Sequence, residues 1–565
     1  VPQFYDNAEG GRGMSRQLDM TIGALLDEMA QRYPDNDALV YSELGLRYNY
    51  HEFNEVCRQV AKGLLKMGVK KGENISIWAY NVPEWVILQF ASAKIGAVLV
   101  TVNTSYKSAE LEYILKQSDS SSLFMVNSFK DTDYVVTLSE VVPEMADSTP
   151  GMLNVAKLPF LKRVVFIGEK TPAGMVNFKA IADLGCDVTD AELAAVEVTL
   201  DRHDVINMQY TSGTTGFPKG VMLTHYNVIN NGLNIGECMK LTEKDRLCIP
   251  VPFFHCFGCV LGVMACVTHG TTMVPVEIFD PLKVLRTIEA EKCTAVHGVP
   301  TMFIAELEHP EFSSFDLSSL RTGIMAGSNC PIEVMKNVIN QMNAKEITIA
   351  YGQTESSPVI TQTRTDDAIE LRVATVGRAL PDVEVKIIDI ETGAALPPGK
   401  QGELCTRGYL VMKGYYKMPE ETARAIDQEG WLHTGDLAIM DENGYCKITG
   451  RIKNMIIRGG ENIYPREIEE FLYTHPKVSD IQVYGVPDRK YGEQVMASII
   501  LKKGMEMGED EVREFCRDRI ANYKIPRYVK FVDSYPMTAS GKIQKFKMRD
   551  MAIKELQLED AGETA

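Results

Sequence analysis

Between Glu73 and Val126 short apolar runs alternate with helix-length segments: ISIWAY, a helical run from Pro83 to Ile95, AVLVTV, the helical SAELEYILKQ, then SSLFMV. Strands separated by helices predict βαβ units and a parallel sheet. A second set is predicted from strand INMQY and a helix starting at His225, continuing through TAVHGVP and LRTGIMAGS. From Asp382 the pattern changes to VEVKIIDI, GELCTRG and a hairpin turning at Asp441-Glu442-Asn443-Gly444, which predicts antiparallel sheet. After Gly450 come a helix from Pro465, strands IQVYGV and VMASIILK, a helix near Glu511 to Ile520, and strand RYVKFV. The expected fold is therefore α/β. Wound α/β lobes plus an antiparallel β subdomain form a large N-terminal domain, residues 1–452, and a small α+β C-terminal domain occupies residues 453–565. The least patterned stretch, Val142 to Lys157, is expected to be a surface loop. The longest apolar run, Phe257 to Val267, is shorter than the roughly 20 residues of a membrane span and predicts a buried segment.

Composition narrows the function class. The chain has 565 residues, 45% hydrophobic and 24% charged, the balance of a globular enzyme-sized protein, and a net charge of -17 that argues against nucleic acid as a partner. Anionic ligands must then be met by local basic spots. Twelve cysteines without a repeating spacing suit reduced thiols and a cytoplasmic protein. Cys256-x-x-Cys259 lacks the second matched pair of a structural zinc site, Cys266 and His269 standing too near, so small buried thiols are expected there. The N-terminus, VPQFYDNAEGGRG, has neither a secretion-signal core nor a basic amphipathic pattern; because Val1 is not an initiating Met, a removed leader and an organelle matrix stay open.

The candidate chemistry starts at residues 210–220, YTSGTTGFPKG. Gly213 and Gly216 let backbone N–H groups approach an anion, Thr211, Ser212, Thr214 and Thr215 add hydroxyl donors, and Lys219 adds a positive charge, a set suited to a polyphosphate. It is not a Walker loop, because only two residues separate its glycines and Gly220 follows the lysine. By composition alone the stretch would sooner suit a plain Gly/Thr surface loop, by roughly two to one, because isolated motif matches are often accidental. Five further islands accompany it: FFHCFG at 253–258, YGQTE at 351–355, HTGD at 433–436, GRIKNMIIRGGENIYPREIEE at 450–470 and PMTASGKIQK at 536–545. Together, and in this order, they resemble the adenylate-forming superfamily across nearly the whole chain. The wording RGGENIYPREIEE is most similar to medium- and long-chain fatty acyl-CoA synthetases.

That resemblance implies a two-step reaction: a carboxylate is joined to the α-phosphate of ATP with loss of pyrophosphate, and a thiol, CoA, then displaces AMP. Because like charges meet in step one, catalysis should rest on pre-placed cations and donors. By the same resemblance Glu355 is the Mg²⁺ ligand, Thr354 touches the α-phosphate, and Tyr351, with Gly352 and Gln353, borders the adenine. Gly327 and Ser328 line the adenine pocket, although Asn329 and Cys330 depart from the usual Ala-Pro wording. Asp436 accepts from the ribose hydroxyls and Arg451 assists at ribose and phosphate. His255 is a gate between acyl pocket and pantetheine tunnel, a positional role rather than that of a base. Lys542 bridges carboxylate and α-phosphate. Lys453 is the hinge about which a mobile C-terminal domain reorients, withdrawing Lys542 and bringing Gly459 and Gly460 to the CoA tunnel.

Cys256 stands where amino-acid-activating relatives place an Asp, and it cannot supply that charge, which argues against amino-acid substrates. The resemblance implies a medium- to long-chain fatty acid as substrate, with its pocket built from Val228 to Glu237, His297 to Met302 and Ile324 to Cys330. The rivals are an acyl-AMP ligase loading a carrier protein and a non-catalytic nucleotide-binding relative. The latter needs a damaged motif, whereas Lys542, Glu355 and Asp436 are all intact. No membrane span is expected, while oligomeric state and a peripheral membrane contact stay open.

Overall fold

The computed structural model describes residues 17–211, 218–327, 330–459, 461–517, 519–538 and 542–558. Two large sheets carry most of the chain. The first runs through eight strands, with Val98–Thr101, Asn74–Trp78, Ser122–Met125 and Arg163–Phe166 parallel at its centre. The second runs through nine, with Thr348–Gly352, Thr322–Met325, Ala295–Gly298, Arg246–Ile249 and Thr272–Pro275 parallel, flanked by antiparallel strands at both edges. Because both faces of a parallel sheet are covered by helices, its strands are buried on both sides, as Asn74–Trp78 is throughout, its polar Asn74 and Ser76 included.

Local signals set the element ends. Pro83 opens the Pro83–Ile95 helix at its first turn, where no N–H is missed, and Gly96 ends it in the left-handed conformation at φ 71°. This helix is buried almost all round, Lys94 included. The Lys94 ammonium is satisfied by Asp27 Oδ1 at 2.8 Å and the Gly23 carbonyl at 3.3 Å.

A four-stranded antiparallel sheet, Val383–Ile388, Gln401–Gly408, Leu432–Met440 and Cys446–Arg451, follows as expected, with the Asp441 to Gly444 turn joining the last two strands. Beyond it a separate C-terminal domain forms around Val478–Asp488 and Gly492–Leu501, with its own apolar core of Ile468, Val483, Val495 and Ile499. The fold is thus mixed α/β with a separate C-terminal domain.

Four local expectations are corrected. Val205–Thr211 does not begin the second lobe: it pairs parallel to Val98–Thr101 in the first sheet, because strand neighbours are chosen by packing across many residues. The stretch between it and the helix at His225 holds a further strand, Lys219–Thr224, antiparallel to Val205–Thr211. Val142 to Lys157 is anchored rather than loose, with a short helix at Pro143–Asp147 and Met145, Leu153 and Val155 buried. The helix near Glu511 is Glu509–Cys516, and the chain turns to extended backbone at Arg517. Phe257 to Val267 is buried as expected, but its first eight residues, Phe257–Met264, form a π-helix. Among the described residues no helix is long and apolar enough to cross a membrane.

Candidate active site

The sheets deliver site residues at the carboxyl ends of their strands, where α/β folds place ligands. Thr211 ends Val205–Thr211, Gly327 lies just beyond Thr322–Met325, and Tyr351 and Gly352 end Thr348–Gly352. At Gly327 φ is +89°, and a β-carbon would stand 3.1 Å from Val299 Cγ1, so glycine keeps this wall open. A β-carbon on Gly352 would meet the Pro358 carbonyl at 1.9 Å, so only glycine fits there. Gln353 caps the short Thr354–Ser356 turn, its N–H donating to Ser356 Oγ at 3.1 Å, which fixes Thr354 and Glu355 in place.

The antiparallel sheet supplies the next group. Asp436 and Arg451 are register partners on adjacent strands. Asp436 is only 4% exposed; Arg451 Nε donates to its Oδ1 at 2.6 Å and the Tyr351 hydroxyl to its Oδ2 at 2.8 Å. Its own N–H donates to Thr434 Oγ1 at 3.1 Å, so backbone and side chain are both held. The Asp436 charge raises the Arg451 pKa, and burial pushes the Tyr351 phenol well up, so these partners keep their charge and proton. Two bonds leave acceptor capacity on the carboxylate.

Glu355 is half-buried; Tyr415 donates to its Oε1 at 2.8 Å. Lys219 is ion-paired with Glu421 and lies 4.9 Å from the centre of the Tyr415 ring. His255 Nδ1 accepts from the Phe257 N–H at 3.1 Å, and the Cys256 thiol lies 3.8 Å from Thr354 Oγ1. Burial, reinforced by the Lys542 charge, draws the His255 pKa down to about 3, so the ring is neutral at physiological pH. Burial pushes the Cys256 thiol up to about 11.

Lys542 comes from the C-terminal domain, where its N–H donates to Thr538 Oγ1 at 3.0 Å. Its side chain borders the open cleft and remains solvent-accessible, yet crowding by protein lowers its pKa through lost hydration. Cys256, Glu355, Asp436 and Arg451 all act on it electrostatically, which brings the two domains to one site. Lys453 sits on the short Ile452–Asn454 turn between the antiparallel sheet and the C-terminal domain, its pKa lowered by burial and by Lys219 and Arg451. Gly459 stands elsewhere: at φ +61° it turns the Ile456–Arg458 hairpin and donates its N–H to the Tyr491 carbonyl at 2.8 Å, within the C-terminal domain. Ser212, Gly213, Thr214, Thr215, Gly216, Ser328 and Gly460 lie outside the described residues.

Tyr415, Glu421 and Glu403 were not singled out from sequence. Glu403 accepts from the Gly435 N–H at 2.9 Å and from His433 Nδ1 at 3.0 Å, bracing the bend that presents Asp436. The run GYYKMPEET, two adjacent tyrosines and then Pro-Glu-Glu between the GELC and HTGD islands, was the available signal for the other two.

The AMP-binding enzyme family matches residues 26–416, and its AMP-binding enzyme C-terminal domain matches residues 467–542. The chain is 60% identical to YngI of Bacillus subtilis (strain 168), which carries an acyl-CoA synthetase name, over 96% of this chain and 99% of that one. This chain belongs to the AMP-binding enzymes, among the acyl-CoA synthetases. It is 42% identical to the mitochondrial medium-chain acyl-CoA ligase ACSF2 of Bos taurus, over 95% of this chain and 88% of the relative. The solved anthranilate CoA ligase AuaEII, in complex with anthranoyl-AMP, superposes with a TM-score of 0.83 at 27% identity, covering 96% of this chain and 99% of that one. Activation of an acid with ATP and transfer to CoA, both small-molecule substrates, is the activity of this enzyme class.

Proposed function

We propose that this AMP-forming acyl-CoA synthetase acts on a medium- to long-chain aliphatic acid, and that the residues gathered in the cleft divide the two half-reactions between them. The observation that carries the reading is the position of Lys542, brought by the C-terminal domain into the field of Glu355, Asp436 and Arg451. In the first step a carboxylate oxygen bonds to the α-phosphorus and pyrophosphate leaves. Lys542 draws the two anions together and Thr354 donates to the phosphate, stabilisation by groups already in place. Asp436 holds the ribose, with Arg451 beside it, while Gly327, Tyr351, Gly352 and Gln353 shape the nucleoside wall. Thr211, the 212–216 loop and Lys219 meet the outer phosphates.

Glu355 offers hard oxygen donors, and its Oε2 lies outside the Tyr415 bond, a fit for Mg²⁺. When bound, that ion would neutralise phosphate charge.

In the second step the CoA sulfur bonds to the acyl carbon, the carbon–oxygen bond to AMP breaks, and the thiol proton passes to solvent. We assign the domain boundary to residues 452 and 453, with Lys453 as hinge and Gly459 and Gly460 moving to the CoA path. Its place on a short turn between two independently cored units supports this.

The acyl chain is assigned to the space beyond His255. A neutral His255 and a neutral Cys256 thiol offer no charge to pair with an ammonium or a second carboxylate. The medium-chain name of the 42% identical relative supports the chain length. Each buried methylene should add about 0.8 kcal/mol, so kcat/KM should climb several-fold per carbon until the pocket is full. Pyrophosphate release across acids from acetate to palmitate, followed by assay of free acyl-CoA, tests both parts. A preference for acetate, an amino acid or an aromatic acid would overturn the pocket reading; acyl-AMP without CoA thioester would point to a carrier-protein ligase.

A further inference from the structure

Lys219 pairs in register with Thr211, the last rung between the Val205–Thr211 and Lys219–Thr224 strands. Its ammonium is already engaged: Glu421 Oε2 accepts from it, and the Tyr415 ring lies beside it. The pair is partly buried, with the Lys219 side chain 14% and the Glu421 side chain 23% exposed. The other oxygen of Glu421 accepts from Arg424. Lys219 is the chief cause of a lowered Glu421 pKa, and the same carboxylate acts on Lys453, so one acid faces several cations at this end of the cleft.

Glu421 stands on the Pro419–Ala425 helix. The segment before it, Gly414–Tyr415, is joined to the edge of the Lys219–Thr224 strand, and Tyr415 takes a further bond from its N–H to Thr422 Oγ1 at 2.9 Å. Beside this segment runs an open groove of about 640 Å³ lined by Met222, Met412, Met418, Thr422 and Ile426, so the helix is not close-packed on that side. Lys219 has three N–H donors, but the one given to the Glu421 carboxylate is withheld from a phosphate, and the carboxylate's charge opposes an anion beside it.

We propose that Glu421 is a competing carboxylate, a positioning residue that retakes Lys219 as pyrophosphate leaves and so lowers the affinity of the site for that product. This rests on the reading that Lys219 meets the outer phosphates. The competition costs some ATP affinity and speeds passage from the first half-reaction to the second.

The test is calorimetric binding of inorganic pyrophosphate with Mg²⁺ to the full chain, alongside pyrophosphate inhibition of acyl-CoA formation. Glu421→Gln should bind pyrophosphate roughly two- to fivefold more tightly, the scale of one screened charge pair. Arg424→Gln should act with the opposite sign, because it leaves Glu421 wholly to Lys219. A merely structural residue would not produce opposite signs. The Glu421→Gln effect should vanish in a Lys219→Met background, as coupled neighbours require.

Wild-type pyrophosphate binding in Glu421→Gln, with a clear loss in Lys219→Met, would overturn the competition and leave the phosphate reading standing. Wild-type binding in Lys219→Met would overturn both. Weaker binding in Glu421→Gln, with a lowered Tm that Glu421→Asp does not restore, would make Glu421 structural and overturn the proposal.

Discussion

Asp436 and Lys542 face the same cleft from unlike supports. Asp436 is buried on a strand paired at both edges, and Thr434, Tyr351 and Arg451 hold it from three directions. Lys542, on the smaller domain, is held among the described residues through its backbone alone, by the Thr538 N–H bond to its carbonyl at 2.7 Å and its own N–H bond to Thr538 Oγ1. The difference matches the proposed roles. A ribose is present in ATP and in acyl-AMP alike, so its anchor gains from rigidity in both half-reactions. A cation needed at one phosphorus, in one step, gains from being removable.

Breaking the removable side should have the largest effect. Lys542→Ala is expected to slow acyl-AMP formation by about 10² to 10³, the scale for losing one preorganised donor, while CoA capture of supplied acyl-AMP stays near wild type. Equal losses in both half-reactions would erase the distinction between the two supports. Lys453→Pro fixes φ near about -65° and should cut CoA-dependent turnover about tenfold or more while ATP–pyrophosphate exchange persists. Normal overall turnover in that variant would place the hinge elsewhere.

The rigid side should behave differently. Asp436→Asn keeps the shape but gives up charged hydrogen bonds, each about 1.5–3 kcal/mol, and should weaken both half-reactions together by about tenfold or more. A loss confined to the first step would show that Asp436 does not follow the ribose through the cycle. The finest test uses pH. Lys542 has a lowered pKa, so its ammonium loses its proton earlier than an ordinary lysine as pH rises. Adenylation should therefore fall on the alkaline side before the thioester step does. Coincident alkaline limbs would mean that Lys542 serves both steps or neither.

The same contrast marks what could be read from the chain. Local elements were legible where a residue enforces its own geometry: Pro83 and Gly96 bound one helix, and Ser108–Gln117 forms over the SAELEYILKQ run that predicted it. The islands FFHCFG, YGQTE and HTGD converge on one cleft, with Asp436 bonded to Tyr351 and Cys256 beside Thr354. Sheet membership was not legible, because the pairing of Val205–Thr211 with Val98–Thr101 depends on packing more than a hundred residues apart. Nor was Glu421 visible as a partner of Lys219, since one of two adjacent Glu residues after a Pro looks like any helix first turn until the fold brings it across.

One consequence lies in the π-helix at Phe257–Met264, immediately after His255 and Cys256. Hydrogen bonds that close on the fifth residue store one more residue than an α-helical turn spans. Gly258 and Gly262 are tightly wedged there: added β-carbons would meet the Pro252 carbonyl at 2.4 Å and the Ile249 side chain at 2.9 Å. Removing a single residue from this run would let it relax into an α-helix while the Ala265–Val267 turn after it keeps its direction, because the wide turns already hold the surplus residue. Within the run, Val260, Val263 and Met264 would be re-spaced against the helix His225–Met239 packed on it. The extra residue is thus slack held in this wall of the molecule, and its deletion would alter the spacing of several side chains at once with no change in their chemistry.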